Sequence, residues 1–385
     1  MKKVFAILLA AMMVVAVFAG CASSNKGSDQ ASGGVIKIGN TGPLTGDYAV
    51  YGKAVEYGLK LAFEEINALG GLQFEVNAQD DAADGEKAVN AYNNLMDWGM
   101  HIMAGSTTSG AAAAVAAECV ADEVFMLTPS ASDASVIAAG NNIFQICFTD
   151  PNQGKASADY IFNHNLATAV GVIYDSSSPY SAGIYETFQA QADAIGLNIA
   201  CVEAFTSSSS SDLSTQVTKC KEAGCDLVFL PIYTAEAARI LTCANNIGYA
   251  PKFFGCDGLD GILGVENFDP ALAEGVLLLT PFDATSSDAK TQEFVKKYTE
   301  KFGIAPNQFA ADAYDVAYAI YQACTDCGVT ADMSAAEINA LLVEWFTTHS
   351  FDGITGAGMT WSADGAVSKY PMAVKIENGA YVSAE

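Results

Sequence analysis

Short apolar runs alternate with longer stretches in which apolar residues recur every three to four positions, from residue 36 to residue 382. The short runs fit strands and the longer stretches fit one-faced helices. Residues 36–40 read as a strand, and Val55, Leu59, Ala62, Phe63 and Ile66 then share one helical face. That helix is predicted to stop at Gly70-Gly71, because glycine readily takes the left-handed conformation that ends a helix. Leu72, Phe74 and Val76 alternate as a second strand. A helix over 85–98, a strand over 101–104, an alanine-rich helix over 111–121 and a strand over 124–127 complete the first series.

A second series begins near Pro151. Strands at 169–174, 197–202, 226–230 and 253–255 alternate with helices at 185–195, 213–223 and 235–247. The serine run 207–211 reads as a loop, with Ser211 or Asp212 as the cap of the next helix. After a strand at 276–280 come helices at 288–302, 309–325 and 335–347, then short strands at 372–376 and 380–382. Strand–helix alternation of this kind predicts parallel sheets covered by helices. The length exceeds one typical core and calls for two domains. Two such series without a phosphate loop make two Rossmann-like lobes, with ligand held at the carboxyl ends of strands in the crevice between them.

The N-terminus changes the picture of where the protein works. Lys2 and Lys3 precede an apolar run over 4–17, too short for a membrane span of ~20 residues and right for a signal peptide. Phe18-Ala19-Gly20-Cys21 resembles the lipobox of bacterial lipoproteins, which implies cleavage after residue 20 and lipidation of Cys21. Residues 21–34 carry serine, glycine and small polar side chains and read as a flexible tether. The expected location is extracytoplasmic, anchored to the bacterial cell membrane by lipid.

Eighteen Lys and Arg against 44 Asp and Glu give a net charge of −26, or −28 once Lys2 and Lys3 leave with the signal peptide. Nucleic acid is thereby excluded as a partner, since phosphate binding needs clustered cations. Setting Cys21 aside leaves nine cysteines, most in apolar surroundings where a cysteine behaves as a small core hydrophobe. Cys324-Thr-Asp-Cys327 has no second pair to complete a zinc site. His101, His164 and His349 lack metal-ligand spacing. No GxSxG, Walker or GxGxxG motif is present, and the spacing of Gly258, Gly261 and Gly264 is wrong for a dinucleotide. No catalytic residue, metal or cofactor is assigned.

The stretch IKIGNTGPLTGDYAVYGKAVEYGLKLAFEEINALGG, at 36–71, resembles the opening of periplasmic binding proteins for branched-chain amino acids, the receptor subunits of ABC importers. The resemblance continues through GSTTSGAAAAVA, MLTPSASD and FDGITGAGMTW, and through DGAVSKYPMAVKIENG. It implies a type I fold of two α/β lobes joined by three hinge strands. Residues 35–150 plus 281–354 would form the N-terminal lobe, and 151–280 plus 355–385 the C-terminal lobe. It further implies a monomer that closes on an amino acid and docks on permease subunits.

The resemblance also implies a set of ligand contacts. Ser109 opens the alanine-rich helix, whose N-terminus favours an anion, so its hydroxyl would meet the ligand carboxylate; the alternative is a plain capping serine. The Ser130 carbonyl would take the ammonium and the Ser132 hydroxyl the carboxylate; the alternative is a turn. Asp257 would pair with the ammonium. It stands where amino-acid binders often carry the longer Glu, and Asp257-Gly258 also fits a simple turn. Tyr51, Tyr180 and Tyr233 would line the pocket, although each alone also fits packing. Retained carboxylate and ammonium partners favour an amino acid over amides, urea or small aromatic acids. A ligand sensor acting through a partner protein is the remaining rival.

Overall fold

The computed structural model describes residues 34–384. The signal segment, Cys21 and nearly all of the expected tether lie outside the described residues.

The first series forms β1 (Val35–Gly42), α1 (Ala49–Ala68), β2 (Gln73–Asp80), α2 (Gly85–Trp98), β3 (Ile102–Met103), α3 (Ser109–Ala121), β4 (Phe125–Thr128), α4 (Ala134–Ile137) and β5 (Ile143–Gln145). Its five strands are all parallel, in the order β2-β1-β3-β4-β5. The unbroken apolar run at β4 follows from burial on both faces. Phe125 and Leu127 join the core under α1, while Met126 joins the core under α2 and α3.

The second series forms α5 (Asp150–Asn163), β6 (Val170–Asp175), α6 (Pro179–Ile195), β7 (Ile199–Phe205), α7 (Ser214–Glu222), β8 (Leu227–Leu230), α8 (Thr234–Asn246), β9 (Lys252–Gly255) and β10 (Leu277–Thr280). Here Leu227 and Phe229 face one core and Val228 and Leu230 the other. The serine run holds a single 3-10 turn at Ser207–Ser209. Leu213, not Ser211 or Asp212, is the residue before α7, although the Asp212 carboxylate accepts from Ser214 N at 3.0 Å.

The chain then returns to the first lobe as α9 (Ala289–Phe302), α10 (Gln308–Asp326) and α11 (Ala335–Thr348), whose Phe294, Val316 and Trp345 complete the core under α1. It ends in the second sheet as β13 (Met372–Glu377), antiparallel to β10, and β14 (Ala380–Ser383). A small ladder, β11 (Ser350–Phe351) with β12 (Met359–Thr360), lies before them. Three segments thus cross between lobes, near 146–149, 281–288 and 368–371. The third differs from the expected boundary at 354. Met359, Trp361 and Val367 are buried in the first lobe's core, and Trp361 Nε1 donates to the Gln145 carbonyl at 2.8 Å. Residues 355–367 therefore stay with the first lobe. All nine cysteines among the described residues are free, and no described helix is long and apolar enough to cross a membrane.

A buried ionic cluster lies beside the third crossing. Lys369 Nζ donates to Asp312 Oδ1 at 2.6 Å and to Thr355 Oγ1 at 2.7 Å. Asp315 accepts from the Ile354 and Thr355 amides, both at 2.9 Å. Gly353 is required at this approach, because a Cβ there would fall 2.3 Å from Asp315 Oδ2.

Glycine has a second steric role where α1 lies against α10. A Cβ on Gly58 would sit 2.3 Å from the Ala310 carbonyl oxygen and 2.9 Å from Ala313 Cβ. Gly58→Ala is expected to force the helices apart at a cost of about 1–3 kcal/mol, the range for overpacking. Thermal denaturation reads this directly, and an unchanged melting temperature would show that the helices part freely.

Candidate ligand site between the lobes

Loops at the carboxyl ends of strands in both sheets meet around a small, tightly lined cavity. Tyr51, Thr107, Thr108, Ser130 and Phe309 come from the first lobe. Tyr180, Tyr233, Asp257 and Gly258 come from the second. Five of the seven residues expected at the site therefore converge there, from positions more than 200 residues apart.

The first-lobe wall is built on the start of α3. Thr108 is the residue preceding the helix and Ser109 its first residue. The Thr108 side chain makes no capping bond, and its Oγ1 is buried without a hydrogen-bond partner. A buried hydroxyl left unmatched beside free helix amides is a costly arrangement that a ligand oxygen would relieve. Ser109 does not line the cavity; it is buried one step behind, where its Oγ accepts from Asp133 N at 3.3 Å.

Ser132 also stands behind the lining, fully buried. It lies close enough to the Asp150 carboxyl to favour that group's charge, yet neither Ser132 Oγ nor Asp150 Oδ2 meets the geometry of a hydrogen bond. Burial nonetheless holds the Asp150 carboxyl well above the ordinary range.

The opposite wall carries the acid. Asp257 is 3% exposed, and its Oδ1 accepts from the Tyr180 hydroxyl at 2.7 Å. The same Tyr180 oxygen accepts from Gly258 N at 2.9 Å, and Gln153 Oε1 accepts from Asp257 N at 3.2 Å. Burial pushes the Asp257 carboxyl up to about 7, against the opposing pull of the Tyr180, Gln153 and Gly258 contacts. Such a group gains from any cation placed beside it.

Aromatic rings close the remaining sides. Tyr180 and Tyr233 stack with centroids 4.8 Å apart, and Tyr51 meets Phe309 edge-on at 4.9 Å. Tyr51 also bridges the lobes, donating to the Gly258 carbonyl at 2.6 Å and accepting from Thr234 N at 2.7 Å. The lobes are thus in contact around the cavity.

Sequence reasoning missed Thr107, Thr108 and Phe309. The two threonines adjoin Ser109 in the GSTTSG stretch, where the only available signal was proximity to a helix start. Phe309 belongs to the apolar face of α10 and is indistinguishable there from core.

A wider groove of about 480 Å³ lies on the first lobe, lined by Glu65, Lys297, Tyr314 and Asp352 among others. None of the expected site residues reaches it, and its Glu65 carboxylate is already engaged by neighbouring side chains. Glu65 accepts from Tyr314 at 2.6 Å and Tyr318 at 2.9 Å, and pairs with Lys297 at 3.0 Å. The cavity between the lobes is the one where the expected residues meet, with the unmatched Thr108 hydroxyl on its wall.

The sequence profile described as "Periplasmic binding protein" matches residues 35–380. Leu/Ile/Val-binding protein homolog 3 of Brucella melitensis is 30% identical over 314 residues, spanning 80% of this chain and 83% of the relative. The leucine-, isoleucine-, valine-, threonine-, and alanine-binding protein of Pseudomonas aeruginosa is 28% identical, across 89% of this chain and 88% of that protein. The crystal structure of LivJ, a branched-chain amino acid transporter substrate-binding protein of Streptococcus pneumoniae in complex with isoleucine, matches with a TM-score of 0.82 at 28% identity. That match covers 91% of this chain and 99% of the other. With the profile matched along nearly all of the described chain, and with the two lobes of the type I fold in place, this chain belongs to the periplasmic binding protein family.

Proposed function

We propose that the protein is the extracytoplasmic substrate-binding component of an ABC importer and captures a small amino acid, with branched-chain side chains favoured, by closing two lobes. The observation that carries this reading is the polarity of the cavity. Hydroxyls and a helix N-terminus stand on one wall, a buried carboxylate on the other, and aromatic rings between them. A zwitterion with an apolar side chain complements all three.

In the proposed cycle the open form admits the amino acid. The start of α3, with Thr108 and Ser109, and the Ser132 hydroxyl receive the carboxylate. The Ser130 carbonyl and Asp257 take the ammonium, and Tyr51, Tyr180 and Tyr233 enclose the side chain. Asp257 and Gly258 lie on the opposite lobe from the carboxylate contacts, so binding draws the lobes together. Such contacts drive closure only when they are better made in the closed form. An aromatic acid without an ammonium would set its carboxylate in the same cavity as Asp257 with nothing to balance the charge, which disfavours that alternative. Lipidation at Cys21, a monomeric state and docking on permease subunits belong to the same proposal.

A thermal-shift screen of amino acids, amides, small aromatic acids and sugars tests it. Ligand at 100 times Kd should stabilise the fold by ~2.7 kcal/mol. Leucine, isoleucine or valine should raise the melting temperature. A rise with sugars or uncharged amides alone would overturn the assignment.

A further inference from the structure

At the mouth of the cleft, four side chains that touch none of the cavity connect the lobes. Tyr48 stands just before α1 in the first lobe, and its hydroxyl donates to Glu236 Oε1 at 2.8 Å on α8 of the second. Arg239, the only arginine in the chain, lies one turn further along α8. It reaches Glu236 Oε1 at 3.3 Å and, across the cleft, Asp47 Oδ2 at 2.5 Å. The Tyr48 ring covers the aromatic wall from outside, edge-on to Tyr233 at 5.1 Å.

We infer that Tyr48 and Glu236, with Arg239 orienting the carboxylate, form a latch that sets how long the closed form lasts and hence how fast ligand leaves. This inference rests on the closure reading above. Burial divides the labour among the four groups. The Glu236 side chain is 4% exposed and Arg239 33%, whereas Asp47 is 61% exposed. An exposed ion pair such as Asp47–Arg239 is screened by solvent and contributes little. The Tyr48–Glu236 bond is charge-assisted and sheltered, so it carries the larger share. Glu236 Oε2 is buried without a partner, so losing the Tyr48 hydroxyl would leave the carboxylate still less satisfied. Opening would expose this carboxylate to water and break the bond, while neither residue lines the cavity. The latch therefore acts on release and not on recognition.

The test is stopped-flow measurement of leucine association and release on the full chain. Tyr48→Phe keeps the ring and removes the hydroxyl. Release should quicken at least about tenfold, the lower end of the effect of one hydrogen bond to a charged group. Association should stay within about twofold of wild type, and the order of affinity among leucine, isoleucine and valine should not change. Asp47→Ala should alter release by no more than about threefold. Glu236→Gln, which keeps an acceptor, should fall between wild type and Tyr48→Phe. An unchanged release rate in Tyr48→Phe, or a changed order of affinities, overturns the latch. Failure of wild type to take leucine would count against the amino-acid ligand instead. The latch would then be read from the release of whichever compound the thermal-shift screen identifies, and an unchanged rate in Tyr48→Phe would overturn it.

Discussion

Replacing Asp257 by asparagine is expected to weaken leucine binding at least about thirtyfold while leaving the ligand-free protein no less stable. The first half follows from removing one partner of a buried, hydrogen-bonded charge pair, which costs about 2–5 kcal/mol in binding. The second follows from burial, because Asp257 is 3% exposed and its carboxyl is pushed up to about 7. A carboxyl with a raised folded-state value binds protons more readily folded than unfolded. Its contribution to stability is therefore present near the unfolded value of 3.8 and is lost as pH rises toward 7. Asparagine escapes that loss and still accepts from Tyr180. Ligand affinity runs the other way, since the ammonium needs the ionised form. Wild-type affinity should fall about tenfold per unit as pH drops below 7, and the asparagine variant should lose that dependence. Calorimetric titration between pH 5 and 8 checks both. Equal leucine affinity in wild type and variant would remove Asp257 from the site.

The alternation of elements was legible because burial imposes it. A strand covered on both faces, such as the one carrying Phe125, Met126 and Leu127, shows as an unbroken apolar run, and a one-faced helix such as α1 as a repeat of three and four. Strand β5 was missed because three residues cannot display a period. The third crossing was misplaced because Trp361 is assigned to a lobe by its contact with Gln145, 216 positions away, and no local signal carries that.

The site divides in the same manner. Asp257, Ser130 and the three tyrosines were found through a stretch-by-stretch family resemblance, not through spacing, and they meet around one cavity. Ser109 and Ser132 came from the same source but stand behind the lining, and Thr108 presents the unmatched hydroxyl. Neighbouring hydroxyl residues at a helix start are chemically alike, and only backbone direction decides which one faces the crevice. Tyr48 and Glu236 had no signal at all, because a contact across a cleft depends on how the lobes meet.

The largest loss of stability is expected from Lys369→Met, about 3–5 kcal/mol, the range for breaking a buried ion pair by removing one partner. The Lys369 and Asp312 side chains are each 1% exposed. Burial already pushes the Asp312 carboxyl up to about 6, with the Lys369 ammonium the main opposing influence and the Asp315 carboxyl raising it further. Methionine fills the lysine's volume but leaves Asp312 with neither a counter-charge nor a route to water. Thr355 would keep its bond to Asp315 at 2.6 Å and lose its donor from Lys369. The melting temperature at pH 7 should fall by about 5 °C for a chain of this size. Acidification to pH 5 should reduce the deficit, because a protonated Asp312 no longer needs the cation. Adding Asp312→Asn to Lys369→Met should recover part of the loss for the same reason, so the two changes should be non-additive by 1 kcal/mol or more. A strictly additive pair, or a deficit independent of pH, would mean that Lys369 contributes here through packing and not through its charge.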